Sequence, residues 1–327
     1  IRPSKNLLVI SISLFFISLV LSTIFSTSQT ISFFGNAERM EAFFSLSHWI
    51  LFFFIFYGLT KLEKNFLLKF LMVLFSVGIV ISLFGIFQHF DFKGFLPFVL
   101  EGEAGSDRVS SFFGNHVYLG SYGLFSLLFS LFAIFYFRSF KAFFLAAAFF
   151  GFIDIFISQT RSALIGLAVG VLAFLIFVVW RDKGRFRLLA LSLIVLAILS
   201  LVSIWFLRTE PWFEKIPALG RFSRVLVGAD TSNTRLVVWQ GFLSSFKEKP
   251  LIGWGLEQMI PAFTRHINPK LFTLENAWFD RAHNKFIDLL VMQGIFGFLV
   301  FLSILYAAGR NIVKSLPQGN EINKGNF

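Results

Sequence analysis

About eight apolar runs, each long enough to cross the roughly 30 Å hydrocarbon core of a bilayer, constrain this chain more than any other feature. They lie near Leu7–Phe25, Phe43–Leu59, Phe66–Gln88, His116–Phe137, Phe143–Ser158, Ala163–Trp180, Phe186–Phe206 and Phe286–Gly309. A water-soluble domain covers its surface with about a quarter charged residues. Here the charged share is 14% against 56% hydrophobic, so lipid must cover much of the surface. The expected fold is an all-α polytopic membrane protein. Its first run, flanked by Arg2 and Lys5, is too long for a signal peptide's apolar region and reads as an anchor.

Orientation follows from the connecting segments. One alternating set carries Arg2, Lys5, Lys61, Lys64, Arg138, Lys141, Arg181, Lys183, Arg185, Arg187, Arg310, Lys314 and Lys324. The other holds Glu38, Arg39, Glu41, Asp91, Lys93, Glu101, Glu103, Asp107, Arg108 and Arg161. Basic excess belongs in the cytoplasm, so both termini are expected inside and the segment from about Leu207 to Ala282 outside. The net charge of +11 sits in these short tracts, which act as topology signals and imply no nucleic-acid partner. The absence of cysteine excludes disulfides, thiolate metal sites and a Cys nucleophile.

The expected organisation is one integral membrane domain: residues 1–206 with seven spans, a loop over 207–282, and 283–327 with the last span and a tail. A loop of that length is usually functional. Its Trp205, Trp212, Trp239, Trp254 and Trp278 suit a structured cap at the membrane interface. Thr234–Phe246 reads as an amphipathic helix with Ser232 or Asn233 as N-cap, ended by Glu248-Lys249-Pro250, with a turn at Gly253 and Gly255.

Three features assigned to the outer side could carry chemistry. His283, followed by Asn284, opens the last span, where the positive helix terminus favours a neutral imidazole, the form of a general base. Gly294 lies eleven residues on, close to three turns, and with Gly297 it is expected to let a neighbouring helix approach. Arg161 opens the sixth span, where a guanidinium among free backbone amides makes an anion site. Asp154, seven residues earlier, is expected to support it. Arg235 and Trp239, four residues apart, share a face of the loop helix. Singly, each has an ordinary structural explanation, as a cap, an interfacial anchor or a solvated side chain; their occurrence on one side favours a site. Two guanidiniums and a neutral base suit transfer from a diphosphate leaving group to a hydroxyl. The long loop has no Asp-x-Asp pair or His cluster, so no metal and no cofactor is expected.

These residues form a recognisable order. His283-Asn284, nine residues, then Gly294-x-x-Gly297 resembles the signature of the O-antigen ligase and O-antigen polymerase family. Arg108-Val109-Ser110-Ser111-Phe112-Phe113-Gly114-Asn115 resembles that family's loop before a span. Thr160-Arg161-Ser162-Ala163-Leu164 resembles its arginine motif, with Ile165 where Leu is common. Arg235 through Trp239 and Lys249-Pro250-Leu251-Ile252-Gly253-Trp254-Gly255 resemble its extracytoplasmic loop. Members usually carry more spans than this, so the chain is expected to be short or to lack an end.

The resemblance implies a GT-C-like, metal-independent glycosyltransferase of the bacterial inner membrane, using an undecaprenyl-diphosphate-linked glycan as donor. It implies His283 as general base and Arg161 and Arg235 on the pyrophosphate. Arg108, Asn115, Trp239, Arg281 and Asn284, in or beside these motifs, are expected to bind substrate. The acceptor hydroxyl would belong to lipid A–core, a growing glycan or a protein. The alternatives are a membrane transporter and a non-catalytic assembly subunit. Transporters place polar groups near the bilayer midplane on broken helices, and the mid-span positions here are mostly apolar, with Asp154 the main exception.

Overall fold

The computed structural model describes residues 6–36, 39–90, 108–181, 183–207, 210, 231–274 and 279–315. Arg2, Lys5, Glu38, Asp91, Lys93, Glu101, Glu103, Asp107 and Lys324, used above for orientation, lie outside the described residues, as do Trp212 and Trp278.

Among the described residues the chain is helical and contains no strand. In order, the helices are α1 (Leu7–Ile24), α2 (Gln29–Phe34), α3 (Phe43–Leu62), α4 (Phe66–His89), α5 (His116–Tyr136), α6 (Lys141–Ile157), α7 (Arg161–Arg181), α8 (Arg185–Leu207), α9 (Thr231–Glu248), α10 (Met259–Phe263), α11 (Leu271–Leu274) and α12 (Lys285–Ser315). Eight are long and apolar enough to cross a membrane: α1, α3 to α8, and α12. They coincide with the eight runs read from the sequence, and the protein is an all-α, multi-pass membrane protein. No residue of α3 is buried, and large apolar side chains such as Phe174 on α7 and Leu196 on α8 are exposed, as lipid-facing helices require.

The loop helix begins at Thr231, so the backbone of Ser232 and Asn233 already belongs to α9 rather than capping it. Its end at Glu248, before Pro250, is where the sequence places it.

The described helices pack in two compact units. In the unit of residues 58–199, α5 and α6 cross at Gly123 and Gly151, where a Cβ on either would collide with the other's carbonyl. Phe75 on α4 meets Phe144 on α6 edge to face, with ring centroids 5.9 Å apart.

In the unit of residues 1–57 and 200–327, α1 lies against α12 through a stripe of small buried residues, Ser11, Ser18 and Ser22. Ser18 Oγ donates to Gln293 Oε1 (3.0 Å) and Ser22 Oγ to the Met292 carbonyl (2.7 Å). The loop residues supply the core of this unit: Phe242, Trp254, Leu256 and Met259 pack with Leu19 and Val291. Trp254 is therefore a core residue and not an interfacial one. It is 2% exposed, its Nε1–H donates to the Ser245 carbonyl (2.8 Å), and Lys249 and Arg265 lie over its ring. Trp205 on α8 is exposed.

Candidate functional site around His283

The site in the unit of residues 1–57 and 200–327 begins with an interruption of the last span. Gly294 has φ 64° and ψ −168°, a conformation essentially restricted to glycine. Breaking a helix there strands backbone groups inside a span, where each must find a partner. Residues 250–255 supply them. Pro250 and Leu251 carbonyls accept from the Ile295 and Phe296 amides (2.8 and 3.3 Å), while the Trp254 and Gly255 amides donate to the Val291 and Met292 carbonyls (2.8 and 3.0 Å).

This corrects the expected role of the glycines. A Cβ at Gly294 would collide with the Leu251 carbonyl, so the close neighbour is a loop, not a helix. At Gly297 it would meet the Gln293 side chain of the preceding turn. His283 itself precedes α12, so the helical phase counted from His283 to Gly294 does not apply.

The turn before α12 presents His283. Its φ of 50° is left-handed, a conformation non-glycine residues seldom adopt. Its side chain is exposed, with Phe279 edge-on to the imidazole at 6.4 Å and no hydrogen bond among the described residues. Its neighbours are all tied down. Asp280 takes a two-point contact from Arg39 (2.7 and 3.1 Å). Ala282 donates its amide to Asp288 Oδ1 (3.0 Å) and accepts at its carbonyl from Trp239 Nε1 (2.8 Å). Asn284 Oδ1 accepts from the Phe286 amide (3.1 Å), which caps α12. Such over-determination is what lets a sparsely populated backbone conformation persist.

Charged groups gather on the same turn. Arg281 is buried: Nη2 donates to Glu257 Oε1 at 2.5 Å, Nη1 reaches Met292 Sδ at 2.9 Å, and Glu41 lies 3.6 Å away. Glu41 also pairs with Lys285 at 3.1 Å. Burial pushes the Glu41 carboxyl up, but Lys285, Arg281 and Arg39 outweigh it and hold it below the ordinary carboxylate range. Burial carries Glu257 above that range, against the pull of Arg281.

The Trp239 hydrogen bond seats α9 on this turn. Arg235 lies one turn earlier on the same face of α9, about 6 Å along its axis. It is exposed and makes no hydrogen bond or ion pair among the described residues. Replacing Trp239 with Phe keeps the ring but leaves the Ala282 carbonyl unpaired. Thermal unfolding in detergent should show a loss of about 1 kcal/mol.

The other predicted residues belong to the unit of residues 58–199. Arg161 opens α7, exposed. Asp154 does not hold it: the carboxylate is fully buried in α6, and Oδ2 accepts from Ser82 Oγ at 2.6 Å. Two turns of separation share a face only along one continuous helix, and α6 ends at Ile157. Arg108 is half-buried, with Nη1 3.1 Å from His116 Nε2. Asn115 caps α5, accepting from the Val117 amide at 2.8 Å. Thr160 Oγ1 donates to the His116 carbonyl at 2.9 Å, so the Arg108 and Arg161 motifs meet through His116.

Sequence reasoning missed Glu257, Asp288 and His116 as site residues and used Glu41 only for topology. Asp288 was findable as an acid in the first turn of a helix. Glu41 and Glu257 partner residues distant in sequence, which no local pattern encodes.

Residues 144–302 match the family model described as O-antigen ligase. The match runs from α6 past Gly294 and Gly297, and it includes Arg161, Arg235 and His283. No curated protein matches the chain. A matching family model within an eight-span helical protein leads to one conclusion: over residues 144–302 this membrane protein is similar to the O-antigen ligase family.

Proposed function

We propose that the protein transfers a glycan from an undecaprenyl-diphosphate carrier to an acceptor hydroxyl at the outer face of the bacterial inner membrane, with both termini in the cytoplasm. The similarity of residues 144–302 to the O-antigen ligase family supports a lipid-linked donor and a glycosyltransferase reaction. The observation that carries the residue-level reading is the Trp239–Ala282 hydrogen bond, because it sets the Arg235 helix on the turn that exposes His283.

In this reading His283 takes the proton of the acceptor hydroxyl as its oxygen attacks the anomeric carbon of the donor sugar. The bond from that carbon to the phosphate oxygen breaks, and the electron pair leaves with undecaprenyl diphosphate. Arg235 neutralises the charge that develops on the leaving group, and the resemblance of its motif implies a diphosphate-binding role for Arg161. The guanidiniums fill the role a metal ion fills in other diphosphate chemistry, so turnover should be undiminished by excess chelator.

A broken span is also a feature of transporters. Here the backbone groups freed at Gly294 are taken up by residues 250–255 and are not offered to a solute, which favours the transferase.

The test is reconstitution with an undecaprenyl-diphosphate-linked O-glycan, offering lipid A–core to one sample and donor alone to another. Transfer to lipid A–core makes the protein a ligase, and chain extension makes it a polymerase. His283→Ala, Arg161→Ala and Arg235→Ala should each lose activity. Wild-type rates in all three would rule out the proposed site.

A further inference from the structure

We propose that Arg281 and Glu257 form a positioning pair that fixes the His283 turn and does not touch the substrate. The inference rests on the reading of His283 as the base. Arg281 lies next to the motif residues and would ordinarily be taken for a diphosphate contact. Its side chain is only 6% exposed and that of Glu257 only 2%. One guanidinium nitrogen is committed to Glu257 and another to Met292. A group so enclosed and engaged has nothing to offer a ligand on the surface.

Its geometry suits another task. Glu257 Oε1 accepts from Arg281 and also from the Glu41 amide at 3.1 Å, so one oxygen joins three segments remote in sequence. Glu257 is itself held in a left-handed conformation, φ 58°, between the fully buried Leu256 and the buried Gln258. The carboxylate therefore comes from a rigid part of the core. Arg281 transmits that position to the backbone two residues before His283. On α12, Met292 binds the other arm of the guanidinium one turn after Asp288, which holds the Ala282 amide. The turn is thus braced from the loop and from the last span together.

Replacing a buried ion pair with uncharged groups of similar volume is often neutral for stability, whereas removing one partner leaves an uncompensated charge. The decisive variant is therefore the double one, Arg281→Met with Glu257→Gln. The glutamine amide oxygen can still accept from the Glu41 backbone, and neither partner is left behind as an uncompensated charge. Arg281→Lys, which retains the ion pair but loses the Met292 contact, is the second variant. His283→Ala is assayed alongside both.

Transfer is measured with the undecaprenyl-diphosphate-linked glycan as donor, separating kcat from donor KM. The expected result is a wild-type melting temperature and unchanged KM for the double variant, with kcat down about 10²-fold, the scale of an ångström's misplacement of a reacting group. Arg281→Lys should fall between it and wild type in kcat, again at unchanged KM. Unchanged kcat in both variants overturns the proposal. So does a raised KM at normal kcat, since that would make Arg281 a substrate contact. Should the double variant not fold, Arg281→Lys decides by the same criteria. Full activity in His283→Ala would instead remove the general-base reading on which the pair's role depends.

Discussion

His283→Asn is expected to abolish glycan transfer while leaving the protein at least as stable as wild type. The loss of a general base typically costs about 10²–10⁴-fold in rate. The stability expectation comes from the backbone. His283 is held at φ 50°, where an ordinary L-residue pays roughly 1–2 kcal/mol, and asparagine is among the residues that tolerate that region best. The imidazole makes no hydrogen bond among the described residues, so its removal strands no partner. Activity assays paired with thermal unfolding in detergent check both halves. A variant that loses activity together with stability would assign the histidine a role in the fold instead.

Gly294→Ala is expected to produce one of the largest losses of stability that a single added methyl group can cause at the described glycines. The conformation at Gly294, φ 64° and ψ −168°, is open essentially to glycine alone. Its Cβ would also collide with the backbone of Leu251 and Ile252. Neither can yield easily, because Pro250 and Leu251 accept the amides freed by the break. Strain of about 1–3 kcal/mol and overpacking of similar size place the total at roughly 2–5 kcal/mol. Unfolding curves read this directly. Gly309→Ala is a fitting control, since nothing lies within 4 Å of its added Cβ.

The contrast between these glycines shows what a sequence can and cannot encode. The spans were legible because lipid burial demands about 20 apolar residues in succession, and every one of the eight runs became a helix. The end of α9 was legible because proline cannot continue a helix. Gly294 was singled out, but spacing alone treated it as part of a continuous helix facing another. The break is stabilised by a loop some forty residues earlier, and a local pattern contains no trace of such a partner. Trp254 was misplaced at the interface for the same reason: tryptophan suits both a membrane surface and a core, and only tertiary contacts decide between them.

The candidate site divides in the same way. His283, Arg235 and Trp239 were visible as motif residues, and the structure brings the Trp239 helix onto the His283 turn. The groups that brace the turn were not visible. Arg39 and Glu41 precede α3, Glu257 follows the broken-span loop, and they meet Asp280, Arg281 and Lys285 only through the fold. Asp154 shows the opposite error. Its spacing from Arg161 suggested a shared face, but the helix stops between them, and the carboxylate turns to Ser82 on α4 instead.

The most direct measurement is chemical rescue of His283→Ala in proteoliposomes carrying an undecaprenyl-diphosphate-linked glycan and an acceptor. If His283 is the base, the variant falls by about 10²–10⁴-fold, and added imidazole restores transfer in proportion to its concentration. His283→Ala turning over at the wild-type rate without imidazole would contradict the account.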